Sequence, residues 1–340
     1  MKNKLNSGEN SKITRESWID HLKFMACILI TNSHCGVIYP LSYMAIGGGF
    51  GNAIFFCLQG YLLVNVTSEF IQWYKKRIYR LLPAVIIVSI SDLIVNHHEE
   101  LQGLTSALQT YGHILGKYWF CEALLLYYVV YYWILQTKEN DNAYKLKKVK
   151  IAFIIWLCVY LIYYIFKLRV NSFFVELAGF SMFKVYFYFG VILAGAYIRI
   201  QKDKITMWLK NSRNKDLLIM GGLCAGFIWG AEYAGIMLWN RGLFFQLLIH
   251  MGVFGFTVAL MSVCMSSPNR FKDSVFIRLI ASATLEIYLF QVSFEQIRYI
   301  SVFPIRLIVF MASAIMGGIV IHELIRLVQK LVITVGEKVG

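Results

Sequence analysis

Long apolar stretches separated by short polar ones run through almost the whole chain. Ten of them are long enough to cross a bilayer, since a helix rises about 1.5 Å per residue and the hydrocarbon layer is about 30 Å thick. They lack the two-residue alternation of a barrel strand. The pattern therefore predicts an all-α fold, a polytopic integral membrane helical bundle of about ten transmembrane helices. The predicted spans are residues 18–38, 50–68, 81–96, 118–136, 150–166, 183–199, 216–235, 243–264, 279–297 and 304–332.

The composition supports the same interpretation. Of 340 residues, 58% are hydrophobic and only 15% are charged, which is too apolar for a soluble domain of this length. The predicted organisation is a cytoplasmic N-terminal tail at 1–17, a transmembrane domain at 18–332 and a cytoplasmic C-terminal tail at 333–340. The first 17 residues contain no apolar region followed by a small-residue cleavage site, so no removable signal peptide is predicted.

The basic residues predict the orientation of the chain. With the N-terminus in the cytoplasm and the spans alternating, 25 of the 33 Lys and Arg residues fall in cytoplasmic segments and seven outside, with Lys23 inside the first span. This bias follows the positive-inside rule and predicts an even number of spans, with both termini on the cytoplasmic side of the inner cell membrane. The net charge of +14 is thereby explained by topology, and no basic face interleaved with aromatic residues indicates nucleic-acid binding.

The seven cysteines lie within or beside the apolar stretches. They form no C-x-x-C pair and no Cys/His pattern with metal-ligand spacing, so the sequence predicts buried free thiols and no metal site.

Ionisable residues in the first span are the first candidates for function, because charge at membrane depth is costly and usually faces a cavity or a partner. Lys23 and His34 are eleven residues apart, or about three helical turns, so they share one face and are separated by about 16 Å along the axis. Lys23, His34 and the nearby Asp20 each also have a simpler explanation. Lys23 can extend its ammonium to the interface, His34 can be an interfacial histidine, and Asp20 can cap the helix start.

A second candidate group is the segment "WYKKRIYRLLPA". Arg77 and Arg80 are three residues apart and therefore neighbours on a helix, at the predicted cytoplasmic mouth of the third span. An Arg guanidinium can grip a phosphate with two parallel hydrogen bonds and keeps its charge. The alternative is that these charges only set topology and bind lipid head groups.

Three acidic or amide residues inside later spans are weaker candidates. Glu122 in "YWFCEALLLYY" is either a partner for a cation or hydroxyl, or an interfacial carboxylate. Glu286 and Gln291 in "SATLEIYLFQ" either line the same cavity or join helices by hydrogen bonds.

The ordered motifs at 18–84 resemble those of acyltransferase family 3, integral membrane enzymes that modify extracytoplasmic sugars, usually by O-acetylation. That family shows a basic residue, ten residues and a His in its first span, with an acidic residue just before. Lys23, His34 and Asp20 match this pattern. The second span of the family has an aromatic pair and a Gly, matched by "FFCLQG". The family then shows Arg-x-x-Arg followed by an apolar pair and Pro, and "RIYRLLP" matches this motif.

The later part of the resemblance is thinner. "YWFCEALLLYY" is similar to the family's fourth span, and "SATLEIYLFQ" to a segment that often ends in His, where this chain has Gln291. Gln59 likewise stands where Ser commonly precedes the Gly. Ten spans also agree with the family.

The resemblance implies a membrane-bound O-acyltransferase that uses acetyl-CoA or another acyl-CoA as donor substrate and a glycan or lipid-linked sugar as acceptor. Arg77, Arg80 and Lys23 would then bind the donor phosphates, and Asp20 would orient Lys23. His34 would be the general base or an acyl carrier, with Glu122 as its partner. Partners would be membrane lipid and, where needed, separate glycan-assembly proteins. A transporter or flippase for a polysaccharide precursor is the alternative, because cavity-facing charges among ten spans also describe transporters.

Overall fold

The structure, a computed structural model, describes residues 16–66, 68–96, 118–136, 141–170, 182–239, 243–293 and 302–339. These residues contain α-helices and two short 3-10 helices, Ser42–Met44 and Pro268–Arg270, and no strand, which confirms the predicted all-helical membrane fold. The helices are α1 (Ser17–Ser33), α2 (Gly48–Leu62), α3 (Phe70–Asn96), α4 (Trp119–Leu135), α5 (Asn142–Val170), α6 (Met182–Ile200), α7 (Lys202–Leu209), α8 (Ser212–Trp239), α9 (Leu243–Ser266), α10 (Val275–Ser282), α11 (Thr284–Ser293) and α12 (Ile305–Val339).

Among the described helices, four are long and apolar enough to cross a membrane on length and composition alone. They are Asn142–Phe166, Phe183–Ile200, Leu247–Ser266 and Ile305–Lys330, and Trp119–Leu135 is a shorter apolar helix. Large apolar side chains such as Ile154, Ile162 and Phe166 of α5 are exposed on the outside of the bundle, where lipid would cover them. Helices are suited to that setting because they satisfy their own backbone hydrogen bonds.

The first helix ends earlier than predicted, at Ser33 rather than near residue 38, so His34 lies at its C-terminal cap. Side chains near this end bond to the chain itself: the Thr31 hydroxyl donates to the Cys27 carbonyl, and the Asn32 amide donates to the carbonyls of Met44 and Ile46. Such bonds compete with helix continuation. They hold the segment between α1 and α2 over the end of α1.

The ninth predicted span, 279–297, is also interrupted. α10 ends at Ser282 and α11 begins at Thr284, with Ala283 between them. The hydroxyls of Ser282 and Thr284 donate to the carbonyls of Leu279 and Ala281, which satisfies backbone acceptors at the break. The rest of that predicted span, beyond Ser293, falls largely outside the described residues.

All seven cysteines are free, as predicted, but two of them are not buried. Cys158 on α5 and Cys224 on α8 are exposed. Both lie on helices whose apolar side chains form the outer surface. A uniformly hydrophobic sequence does not distinguish this surface from the core.

One close helix contact of the core joins α2 and α6 through two glycines. A side chain on Gly60 would collide with the carbonyl of Ile192, and one on Gly195 would collide with the carbonyl of Cys57. The Tyr131 hydroxyl of α4 donates to the Gly60 carbonyl and fixes the same crossing. Small residues allow membrane helices to approach this closely. The Gly60 of the second-span motif is therefore explained by packing.

We expect Gly60→Val to destabilise the protein by at least about 3 kcal/mol, because two backbones would have to separate. Thermal unfolding in detergent measures the change. Gly221→Val is the matched control, since a side chain there meets no atom within 4 Å. Equal loss in both variants would contradict the packing role of Gly60.

Candidate functional site

A cavity of about 500 Å³ opens beside α1, at the end of the bundle that the sequence predicts to be cytoplasmic. Asp20 and Lys23 of α1, Arg80 of α3 and Arg199 of α6 line it. Three of the residues selected from the sequence, Asp20, Lys23 and Arg80, are thus brought together. Asp20 is only 6% exposed although it carries a carboxylate. Besides His322, the described side chains that line the cavity include three basic ones, Lys23, Arg80 and Arg199, and two acidic ones, Asp20 and Glu16, and this excess of positive charge suits an anionic ligand.

One wall of the cavity is a chain of polar and aromatic contacts that starts at Arg199. Its guanidinium donates to the Tyr61 hydroxyl at 3.0 Å and lies 4.9 Å from the centre of that ring. Tyr61 packs edge-on against Trp18, whose indole donates to Glu16. These contacts tie α6, α2 and the start of α1 together, so Arg199 is held in place by residues that are largely buried.

Glu16 also pairs with Lys202 of α7, with 3.0 Å between carboxylate oxygen and ammonium nitrogen. Burial lowers the pKa of Lys202, but the hydrogen bond and charge of Glu16, together with Tyr61, outweigh it and leave the pKa above its ordinary value. Lys202 is therefore charged at neutral pH. The pair closes the rim of the cavity where α1 begins.

The cavity lining also includes His322 of α12, which sequence reasoning did not select. His322 lines the cavity and its Nδ1 lies 3.0 Å from Oε1 of Glu286 on α11. Arg199 was likewise counted only as a topology-setting charge. Arg199 and His322 are both ionisable residues inside, or at the end of, an apolar stretch, and this feature of the sequence would have identified them as candidates.

Arg77 does not line the cavity. Its guanidinium folds back on its own helix, donating to the Trp73 carbonyl at 3.1 Å and lying 4.0 Å from the Trp73 ring centre. Trp73 is 2% exposed and packs against Tyr128 and Tyr132 of α4. Trp73 thus joins α3 to α4, and Arg77 lies against it one turn away from Arg80; the role of Arg77 in binding the donor stays a prediction.

An apolar cluster joins the middle of α1 to α10, α11 and α12. Cys27 of α1 packs with Ile280 of α10, Ala283 at the break and Ile287 of α11, with Phe24, Ile315 and Ile319 around it. On α1, Cys27 lies one turn beyond Lys23, and on α12, Ile319 lies one turn from His322. We call these seven residues the apolar plug. Along α1 it lies between Lys23, which lines the cavity, and His34.

His34 lies on the far side of the plug. It is seven residues, or nearly two full turns, after Cys27, so it lies on the same face of α1 as Cys27 and Lys23. The helix ends there, and His34 is partly exposed. The spacing of Lys23 and His34 on one face thus holds, with the plug between them.

Glu122 lies in the first turn of α4 and is half-buried. Leu126 and Trp133 follow on the same side of α4, and both are exposed. The structure does not bring Glu122 to the cavity, and its predicted partnership with His34 stays a prediction. Gln291 of α11 is completely buried, and neither polar atom of its amide has a hydrogen-bond partner among the described residues.

These features define the class of protein. It is a membrane helical bundle with an internal cationic cavity and a histidine beyond it. The model of acyltransferase family 3, described as an acyltransferase domain, matches residues 16–323. The chain belongs to this family, as its first-span, second-span and third-span motifs predict. No curated protein and no solved structure matches it.

Proposed function

We propose that the protein moves an acyl group, most favourably acetyl, from cytoplasmic acyl-CoA to a hydroxyl of an extracytoplasmic or lipid-linked glycan. The proposal includes ten spans with both termini in the cytoplasm, which places the cavity at the cytoplasmic side and His34 at the outer side. Membership of the acyltransferase family supports the class of reaction. The cationic cavity is the observation that carries the choice of donor.

The donor fits the cavity by charge. Acyl-CoA carries several phosphates, and the cavity presents Lys23, Arg80 and Arg199 from three different helices. Charge-assisted hydrogen bonds to phosphate are stronger than neutral ones, and Arg adds a planar fork. With the phosphates held there, the pantetheine arm would point along the face of α1 towards His34, a distance of about 16 Å.

The chemistry then needs a base near the acceptor. In the proposed reaction His34 removes the proton of the sugar hydroxyl while the hydroxyl oxygen attacks the thioester carbonyl. The C–S bond breaks, CoA leaves as a thiolate, and the proton on His34 neutralises it. A neutral imidazole suits this step because it can accept and return a proton near neutral pH.

The experiment that tests the function uses membranes that contain the protein, radiolabelled acetyl-CoA and glycans extracted from the host. Label in the glycan, absent from membranes without the protein, supports the acyltransferase. Saturable uptake of glycan into vesicles without label transfer would instead establish the transporter.

We expect Arg80→Gln to raise the KM for acyl-CoA by roughly 10- to 100-fold with little change in kcat, because a charge-assisted bond is worth about 1.5–3 kcal/mol. Arg77→Gln is the matched variant on the same helix and should raise KM much less, since Arg77 contacts Trp73 instead of lining the cavity. Steady-state kinetics with the purified protein measure both. A larger effect at Arg77 would contradict the assignment of Arg80 as the donor contact.

A further inference from the structure

The pair formed by His322 and Glu286 has no role in the function proposed above. Glu286 is 6% exposed, and its Oε1 lies 3.0 Å from Nδ1 of His322. Its second oxygen, Oε2, has no hydrogen-bond partner among the described residues. A carboxylate removed from water is costly unless it is paired, and the hydrogen bond with the His322 ring is the pairing that the described residues supply.

The pair also fixes the direction of the ring. Because Nδ1 faces Glu286, the other ring nitrogen, Nε2, is directed away from it, and His322 lines the cavity. A histidine whose Nδ1 is held by a carboxylate has a fixed ring orientation. With Nδ1–H held by Glu286, Nε2 carries a proton only in the imidazolium form, and in that form His322 donates a hydrogen bond to an anion in the cavity.

His322 adds a further helix to the lining of the cavity. Lys23, Arg80 and Arg199 come from α1, α3 and α6, and His322 comes from α12. Asp20 and Glu16, which also line the cavity, reduce its positive charge. A ligand with several phosphates is best held by groups from several helices, and α10 and α12 contribute Ser282 and His322 to the described lining.

We infer that His322, held by Glu286, is a further binding residue for the donor and contacts a phosphate of acyl-CoA. The inference rests on the proposed function, because it names another contact of the same donor. His322 binds and does not catalyse, so its loss affects donor affinity and leaves the chemical step intact. Glu286 is a positioning residue that acts through His322.

The test is direct binding of acetyl-CoA to the purified full-length protein in nanodiscs, together with kcat and KM. His322→Gln is expected to weaken binding about tenfold, as the loss of one charge-assisted hydrogen bond does. His322→Arg restores a cation and should recover most of the affinity. Glu286→Gln should weaken binding in the same direction by a smaller factor. His21→Gln is the matched control, since His21 bonds to the Ser17 carbonyl outside the cavity.

Three outcomes would overturn the inference. Unchanged binding in His322→Gln would exclude a donor contact. A fall in kcat with unchanged affinity would make His322 catalytic instead. Equal loss of affinity and thermal stability in His322→Gln and His322→Arg would show that the pair only joins α11 to α12. Failure of the unaltered protein to bind acetyl-CoA would overturn the proposed function itself, so the two failures are distinguishable.

Discussion

His34→Ala is expected to reduce acyl transfer to the glycan by about 10²- to 10⁴-fold, the range that a positioned general base contributes. Binding of acyl-CoA should remain close to that of the unaltered protein, because the donor cavity lies beyond the apolar plug. His34 caps the end of α1 and is partly exposed, so its removal leaves no large cavity in the core. Label transfer from acetyl-CoA, measured beside direct donor binding, separates the two effects.

The control for this variant is His21→Ala on the same helix. His21 faces Phe271 and bonds to the Ser17 carbonyl, near the opposite end of α1. It should retain transfer and membrane insertion. Transfer at a normal rate by His34→Ala would remove His34 from the mechanism, while insertion lost in both variants would point to a general effect on α1.

The apolar stretches predict where most membrane helices form but not all of their ends and interruptions: α2 ends at Leu62 and not near residue 68, and α3 begins at Phe70 and not near residue 81. The pattern of apolar stretches predicts α4 to within a residue of each end, because that helix is uniformly apolar and flanked by polar residues. It misses the end of α1 at Ser33 and the break at Ala283. Both depend on hydroxyl and amide side chains that bond to nearby carbonyls, and such bonds depend on the fold of the neighbouring segment.

The candidate site was predicted in part for a similar reason. Asp20, Lys23 and Arg80 carry local motifs, so the sequence singles them out. Arg199 and His322 are each more than one hundred residues from Arg80 along the chain, and only the packing of α6 against α2 and of α12 against α3, α10 and α11 brings them together. Arg77 and Arg80 are adjacent on one helix face, yet the Trp73 ring engages one of them and leaves the other at the cavity.

The apolar plug is the part of the structure that the proposed reaction must pass. Along α1, the donor cation Lys23 is on one side of Cys27 and His34 is on the other, so in the proposed reaction the pantetheine arm would pass Cys27, beside which Ala283 and Ile287 pack. Cys27 and Ala283 have the smallest side chains of the plug. The break between α10 and α11 is at Ala283 itself, and interrupted membrane helices are tolerated where they line a pathway.

Ala283→Leu is therefore expected to reduce transfer to the glycan by about 10²-fold or more, because misplacing the reacting atoms by about 1 Å can already cost that much. The added side chain would enlarge the smallest residue of the plug, which lies at the break between α10 and α11 and packs with Cys27. Donor binding should persist, since the phosphates bind on the inner side of the plug. The measurement is again label transfer set against acetyl-CoA affinity.

Ala281→Leu provides the control for overpacking. Ala281 is as buried as Ala283, at 1% against 0% exposed, and lies on the same interrupted span outside the plug. Both substitutions should cost stability, by about 1–3 kcal/mol for an added side chain of this size in a packed core. Only Ala283→Leu should lose transfer to the glycan while it keeps donor binding. If Ala283→Leu transferred label normally, the acyl group would have to reach the acceptor by a route that avoids Cys27, and His34 could not be the base that receives it along this face of α1.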